Sequence, residues 1–171
     1  MERANPCDRK LYNASLGGDV DGVVAALRDD GRVTHRSPDG FTPLLAAAHN
    51  GHTDICGLLL ANGSNVNETD LKTKHTALHF AALKGHNNII EALLSWGAAV
   101  DPQDHAGFTP LQASCQDGHL ACVLTLLKAG ASLTLPNNYG GLPIHHAAGY
   151  NRVEVVKTLL EHGCSPDMVS W

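Results

Sequence analysis

The stretch Phe41-Thr42-Pro43-Leu44-Leu45-Ala46-Ala47-Ala48-His49-Asn50-Gly51-His52 decides the fold, because the chain repeats it. It returns as His75-Thr76-Ala77-Leu78-His79-Phe80-Ala81-Ala82-Leu83-Lys84-Gly85-His86, then as Phe108-Thr109-Pro110-Leu111-Gln112-Ala113-Ser114-Cys115-Gln116-Asp117-Gly118-His119. The threonines stand 34 and 33 residues apart, and Leu142-Pro143-Ile144-His145 follows after a further 33. Each copy reads as a helix with its own start and stop. Thr42 and Thr109 suit the N-cap, the prolines after them suit the first helical position, and Gly51, Gly85 and Gly118 end the helix. A second helix follows, with Ile55, Leu59 and Leu60, then Ile89, Leu93 and Leu94, then Val123, Leu126 and Leu127 at helical spacing. Gly63, Gly97, Gly130 and Gly163 stop it. A short extended segment then leads to a turn such as Asp39-Gly40 or Ala106-Gly107.

A period near 33 with a Thr-Pro-Leu-His-x-Ala core resembles the ankyrin repeat. The resemblance covers about residues 8–168. It implies an all-α solenoid of helix-turn-helix units joined by short β-hairpin loops, in which interfaces between neighbours replace one central core. The expected units are 8–37 as N-terminal cap, 38–71, 72–104, 105–137 and 138–168. The first lacks Thr-Pro and has a more polar second helix around residues 21–28, as a unit with one face in water needs. The third carries Lys74 where others have glycine. The fifth replaces Thr by Leu142 and the helix-ending Gly by Asn151, a residue that tolerates the left-handed conformation. Residues 169–171 read as the start of a further hairpin. The expectation is a fragment of a longer protein, or a last hairpin that packs on something else.

Composition narrows the function. A net charge of -5 with 12 Lys and Arg leaves no basic stripe for phosphates, so no nucleic-acid partner is expected. No apolar run is long enough to span a bilayer, and the N-terminus lacks a secretory core, so no membrane insertion is expected. Of five cysteines, Cys56, Cys115, Cys122 and Cys164 fall on small or apolar core positions and Cys7 lies outside the pattern. Reduced thiols point to a cytoplasmic or nuclear location. No nucleophile elbow, His-Glu-x-x-His, phosphate loop or dinucleotide fingerprint is present, and no His or Cys pair has zinc spacing. The chain reads as no enzyme, with no cofactor and no metal. Cys115 and Cys122, the nucleophiles one would imagine, sit where a thiol is buried and inert. His52, His79, His86, His119 and His145 recur with the pattern and read as structural. The variable histidines sit near the surface, where their protonation as pH falls would change partner binding.

The ankyrin resemblance implies a protein partner on the concave side, against the hairpin tips and the first helices. Carried over residue by residue, the partner-binding positions are Phe41, His49 and Asn50 in the second unit and His75, Phe80, Leu83 and Lys84 in the third. The fourth contributes His105, Phe108, Gln116 and Asp117, and the fifth Tyr139, His146 and Tyr150. Five of the chain's eight aromatics fall on this face, the residue type favoured at interface hot spots. Phe41 and Phe108 can equally fill hairpin sites. A strip of Phe80, Leu83, Phe108 and Tyr150 edged by Lys84, Gln116 and Asp117 suits an extended peptide or a protein loop. The mixed charges, Lys72, Lys74 and Lys84 against Asp39 and Asp117, select neither a strongly acidic nor a strongly basic partner. Trp96 reads as leaning on the neighbouring outer helix, with a second contact surface as the alternative. Asn67 is similar to ankyrin sites recognised by asparaginyl hydroxylases, though a hairpin-bracing role explains it as well. Two functions remain, a scaffold or substrate adaptor, and the targeting or regulatory arm of a larger enzyme, ubiquitin ligase or channel. Oligomeric state is not legible.

Overall fold

The structure is a computed structural model and describes residues 5–165. The expectation of a hairpin at residues 169–171 lies outside them. The described residues form an all-α stack with no sheet; one isolated antiparallel bridge joins Thr69 and Thr76. The first unit pairs α1 (Pro6–Gly17) with α2 (Val20–Arg28), and the second α3 (Pro43–Asn50) with α4 (Thr53–Ala61). Then come α5 (Ala77–Lys84) with α6 (Asn87–Ser95), α7 (Pro110–Asp117) with α8 (Leu120–Lys128), and α9 (Pro143–Gly149) with α10 (Val153–Glu161). The odd-numbered helices form one row and the even-numbered helices another, each helix touching the next in its row. The odd row packs more closely, because its helices carry Ala46, Ala47, Ala81, Ala82 and Ala113 where the even row carries Leu and Ile. The stack therefore curves with the first helices on the inner side.

The helix starts follow from short polar side chains. Thr42, Thr76 and Thr109 each accept a hydrogen bond from the backbone N–H three residues on, which satisfies a donor the helix cannot. The first unit uses a different device. Asn5 caps α1 just before Pro6, and Asp8, wholly buried, accepts from the backbone N–H of Arg32 and from two nitrogens of its guanidinium. Those hydrogen bonds hold the Asp8 carboxyl below its ordinary range. The first helix of the cap unit is thus tied to the chain that leaves its second helix, by a buried carboxylate under a half-exposed guanidinium.

The units are stitched by a tie that recurs at every junction. Nε2 of His52, His86 and His119 donates to the carbonyls of Leu16, His49 and Leu83, at 3.2, 3.3 and 3.1 Å. Arg152 Nε makes the corresponding bond to Gln116 at 2.9 Å. These side chains lie against the glycines that end the preceding first helices. Gly85, at φ 75°, has the His119 ring where a Cβ would stand 2.7 Å from Nδ1. The histidines expected to be structural are so placed.

The hairpin loops also share one anchor. Ser37, Asp70, Asp104 and Asn137 occupy equivalent places, and each side chain accepts backbone N–H groups of its own loop. Lys74 takes the left-handed φ of 60° that glycine supplies elsewhere, and Asn151 does the same at 56°.

Candidate functional site

Hairpins and first helices together make one continuous surface, and the charges on it are mostly matched. Lys72 Nζ lies 2.7 Å from Asp39. His75 Nε2 donates to Asp104 at 2.9 Å, where the third unit runs into the fourth. His105 donates through Nδ1 to the Lys72 carbonyl at 2.9 Å, and its own carbonyl accepts from Asn138 at 3.0 Å. His105 therefore joins adjacent tips.

The expected residues separate into three groups. Phe41, His49, His75 and Phe80 form one cluster of rings, with Phe80 at its centre 5.1 Å from Phe41, 5.5 Å from His49 and 5.1 Å from His75. Phe80 is 6% exposed, so it does not stand out as an accessible anchor of the strip. It fills the space between two hairpins and two alanine-rich helices that leave room for a ring. The second group surrounds a cleft of about 240 Å³ between the third and fourth units. His75, Leu83, Phe108 and Gln116 line it, together with His79, Asp104, Ala106 and Ala113. The third group lies at the far end. Tyr139 is 83% exposed and Tyr150 55%. His146 joins that end to the cleft, its ring 4.7 Å from Phe108 and its Nε2 accepting from Asn137 at 3.0 Å. Burial, together with the charge of His145, lowers the His146 pKa.

Four lining residues escaped the sequence reading of the site, and two of them, Asp104 and His79, carry its polar contacts. Asp104 anchors its own loop through one oxygen, and its second oxygen reaches His75. His79 was read as part of the repeat; it also walls the cleft. His79 Nδ1 accepts from the Thr76 backbone N–H at 3.2 Å, and Nε2 donates to the Phe108 carbonyl at 2.9 Å. Burial drives its pKa down to about 4, so the imidazole is neutral and the cleft wall carries no positive charge there. Gln112 performs the same two jobs one unit later, accepting from Thr109 N–H and donating to the carbonyls of Leu135 and Gly141.

Outside the cleft, Asn50 is exposed and its amide bonds back to the Ala46 carbonyl at 2.9 Å. Lys84 is exposed and Asp117 half-buried, and among the described residues neither forms an ion pair. Asn67 Oδ1 accepts from the Ala99 backbone N–H at 2.8 Å, and Asp101 accepts likewise from Ser132; both brace the next unit. Trp96, 49% exposed, ends α6. The thiols of Cys56, Cys115 and Cys122 are buried, which pushes Cys56 up to about 12, Cys122 to about 11, and Cys115 upward as well. Such thiols are poor nucleophiles. No described helix is long and apolar enough to cross a membrane.

A family model for ankyrin repeats in three copies matches residues 11–104 and again 97–170. Among similar proteins is the ankyrin repeat and KH domain-containing protein mask-1 of Caenorhabditis elegans. It is 38% identical over 109 residues, which is 63% of this chain and 4% of that protein. The human ankyrin repeat and KH domain-containing protein 1 is 39% identical over 90 residues, 52% of this chain and 4% of its own length. The palmitoyltransferase ZDHHC17 of Danio rerio is 43% identical over 77 residues, 44% of this chain and 12% of the relative. The chain thus spans a small part of each relative it matches.

Proposed function

Since the chain belongs to the ankyrin-repeat family, a class of protein-interaction module, we propose that it acts as a scaffold or substrate adaptor that captures an extended segment of another protein. The docking face is the inner one, centred on the cleft between the third and fourth units. The observation that carries this reading is the cleft itself, where Leu83, Phe108 and Ala113 present apolar surface beside polar groups already paired. Gln116 adds a half-buried side-chain amide that has no partner among the described residues, free to bond a peptide backbone. Tyr150, Tyr139 and His146 extend the surface toward the fifth unit, and Phe41, His49, Asn50, His75 and His105 shape it from the other side. Phe80 supports it from beneath. Binding is a matter of seating a segment on a preformed surface, with apolar side chains supplying most of the affinity.

The protein works without catalysis of its own, in the cytosol or nucleus, where its free buried thiols stay reduced. A second reading has one observation in its favour. The matching stretch is 4% of the KH-domain relatives and 12% of the palmitoyltransferase, which suits a targeting arm of a longer polypeptide. Both readings use the same face.

The test is affinity capture with the chain, a Leu83→Arg variant and a Gln116→Arg variant, each first checked for an unchanged melting temperature. Partners should be lost from both variants. Retention of every partner by a folded pair of variants would remove the cleft from consideration and move attention to Trp96.

A further inference from the structure

On either side of the cleft, the residues that follow its lining Leu83 and Gln116 differ in charge. Lys84 follows Leu83 on α5, and Asp117 follows Gln116 on α7, at equivalent places in consecutive units. The same place holds Asn50 in the second unit, and Tyr150 follows α9 in the fifth. Charge thus appears at this position only on the two sides of the cleft, with opposite sign. Neither group is matched by a neighbour among the described residues, whereas Asp39, Lys72 and Asp104 on this face are. Asp39 has Lys72, and Asp104 has His75 and two backbone N–H groups. Lys74, exposed on the hairpin of the third unit, adds to the positive side.

We propose that the cleft takes an extended peptide segment carrying an uncharged apolar side chain between one acidic and one basic residue, the acidic residue over Lys84 and the basic one over Asp117. The inference rests on the reading of this face as protein-binding and names the chemistry it selects. The apolar side chain enters between Leu83, Phe108 and Ala113, where a charge would lose its hydration without a partner. The free amide of Gln116 bonds the segment's backbone. Packed helices lie about 8–10 Å apart and an extended chain advances about 3.3 Å per residue, so the two charges stand about three residues apart. Mixed charge on this face is then a polarity and selects the order of charges along the ligand.

A random peptide-display library selected on the whole chain tests this. The enriched peptides should share a Leu, Met or Phe flanked by opposite charges in one order. One such peptide and its charge-swapped twin, made synthetically, should differ in Kd by about tenfold, a size set by two exposed pairs exchanged for two like-charge contacts. The Lys84→Glu/Asp117→Lys double variant should invert the preference, whichever way the peptide runs, and Lys84→Gln/Asp117→Asn should abolish it while keeping the apolar requirement. Peptides that need Leu83, losing affinity to Leu83→Arg, yet ignore both charge variants would overturn the proposed polarity and leave the protein-binding reading standing. Peptides indifferent to Leu83→Arg, or no enrichment at all, would overturn both.

Discussion

At His79, burial and hydrogen bonding act against each other, and burial wins. An unfolded imidazole takes its proton near pH 6.5, whereas the folded one does so only near 4. The folded pKa is the lower, so the contribution is intact above about pH 6.5 and is lost as pH falls toward 4, by about 3 kcal/mol in all. Gln112 fills the same role without titrating. The His79→Gln variant should therefore stay within about 1 kcal/mol of the parent at pH 7 and lose most of the decline between pH 6.5 and 4. Urea midpoints across that range check it; an unaltered slope would assign the decline to other groups. Asp70 makes a similar case for hydrogen bonding. Its carboxylate, 2% exposed, accepts from three backbone N–H groups and the Thr73 hydroxyl. Replacing it by Ala should cost about 2 kcal/mol or more, and Asn, which Asn137 shows is tolerated at this place, distinctly less. Asp70 finds its partners within its own loop, whereas the Phe108 carbonyl that His79 reaches lies 29 residues on. A spacing of 33 identifies equivalent positions, and the acceptor of a side chain one unit away depends on stacking that no local pattern encodes. The same limit applies to Phe80, whose inner-helix position suggested an exposed ring until the hairpins on either side closed over it.

The helices illustrate which local rules suffice. Threonine caps, first-turn prolines and terminal glycines were legible because each satisfies its own helix. The start of α1 was less so. Its Asn5 cap and Pro6 obey the same chemistry, but they lie ahead of residue 8, where the repeat pattern begins. Glycines that look identical in sequence have different duties. Gly97, at φ 80°, meets nothing within 4 Å of where a Cβ would stand, while Gly85 meets the His119 ring. Alanine at 97 should cost about 1–2 kcal/mol from backbone strain alone. Alanine at 85 should cost about 1–3 kcal/mol more, because a packed ring must move as well. Equal denaturation midpoints for the two variants would show that the ring yields freely. The cleft itself belongs to this scale: Ala113 is small where the equivalent place in the third unit holds Phe80, and Leu83 and Phe108 line the space beside it.

For the whole molecule, a row of pairwise interfaces predicts uneven stability. The fifth unit touches a neighbour on one side only among the described residues. His145 is exposed, its Nε2 without the acceptor that His79 finds in the next unit, and Tyr150, Val153 and Leu160 are exposed too. Amides of α9 and α10 should exchange with deuterium faster than those of α5 to α8 under native conditions. Uniform protection along the stack would mean that it unfolds as one cooperative body. The order of the inter-unit ties has a consequence for the chain during its synthesis. The His49 carbonyl waits for His86, the Leu83 carbonyl for His119, and His79 Nε2 for Phe108. At about 5–20 residues per second a ribosome needs roughly 2 to 7 seconds to deliver one further unit. Each newly emerged helix pair thus spends seconds with its bonding groups turned toward a neighbour not yet made, so the growing end is always the stickiest part of the nascent chain.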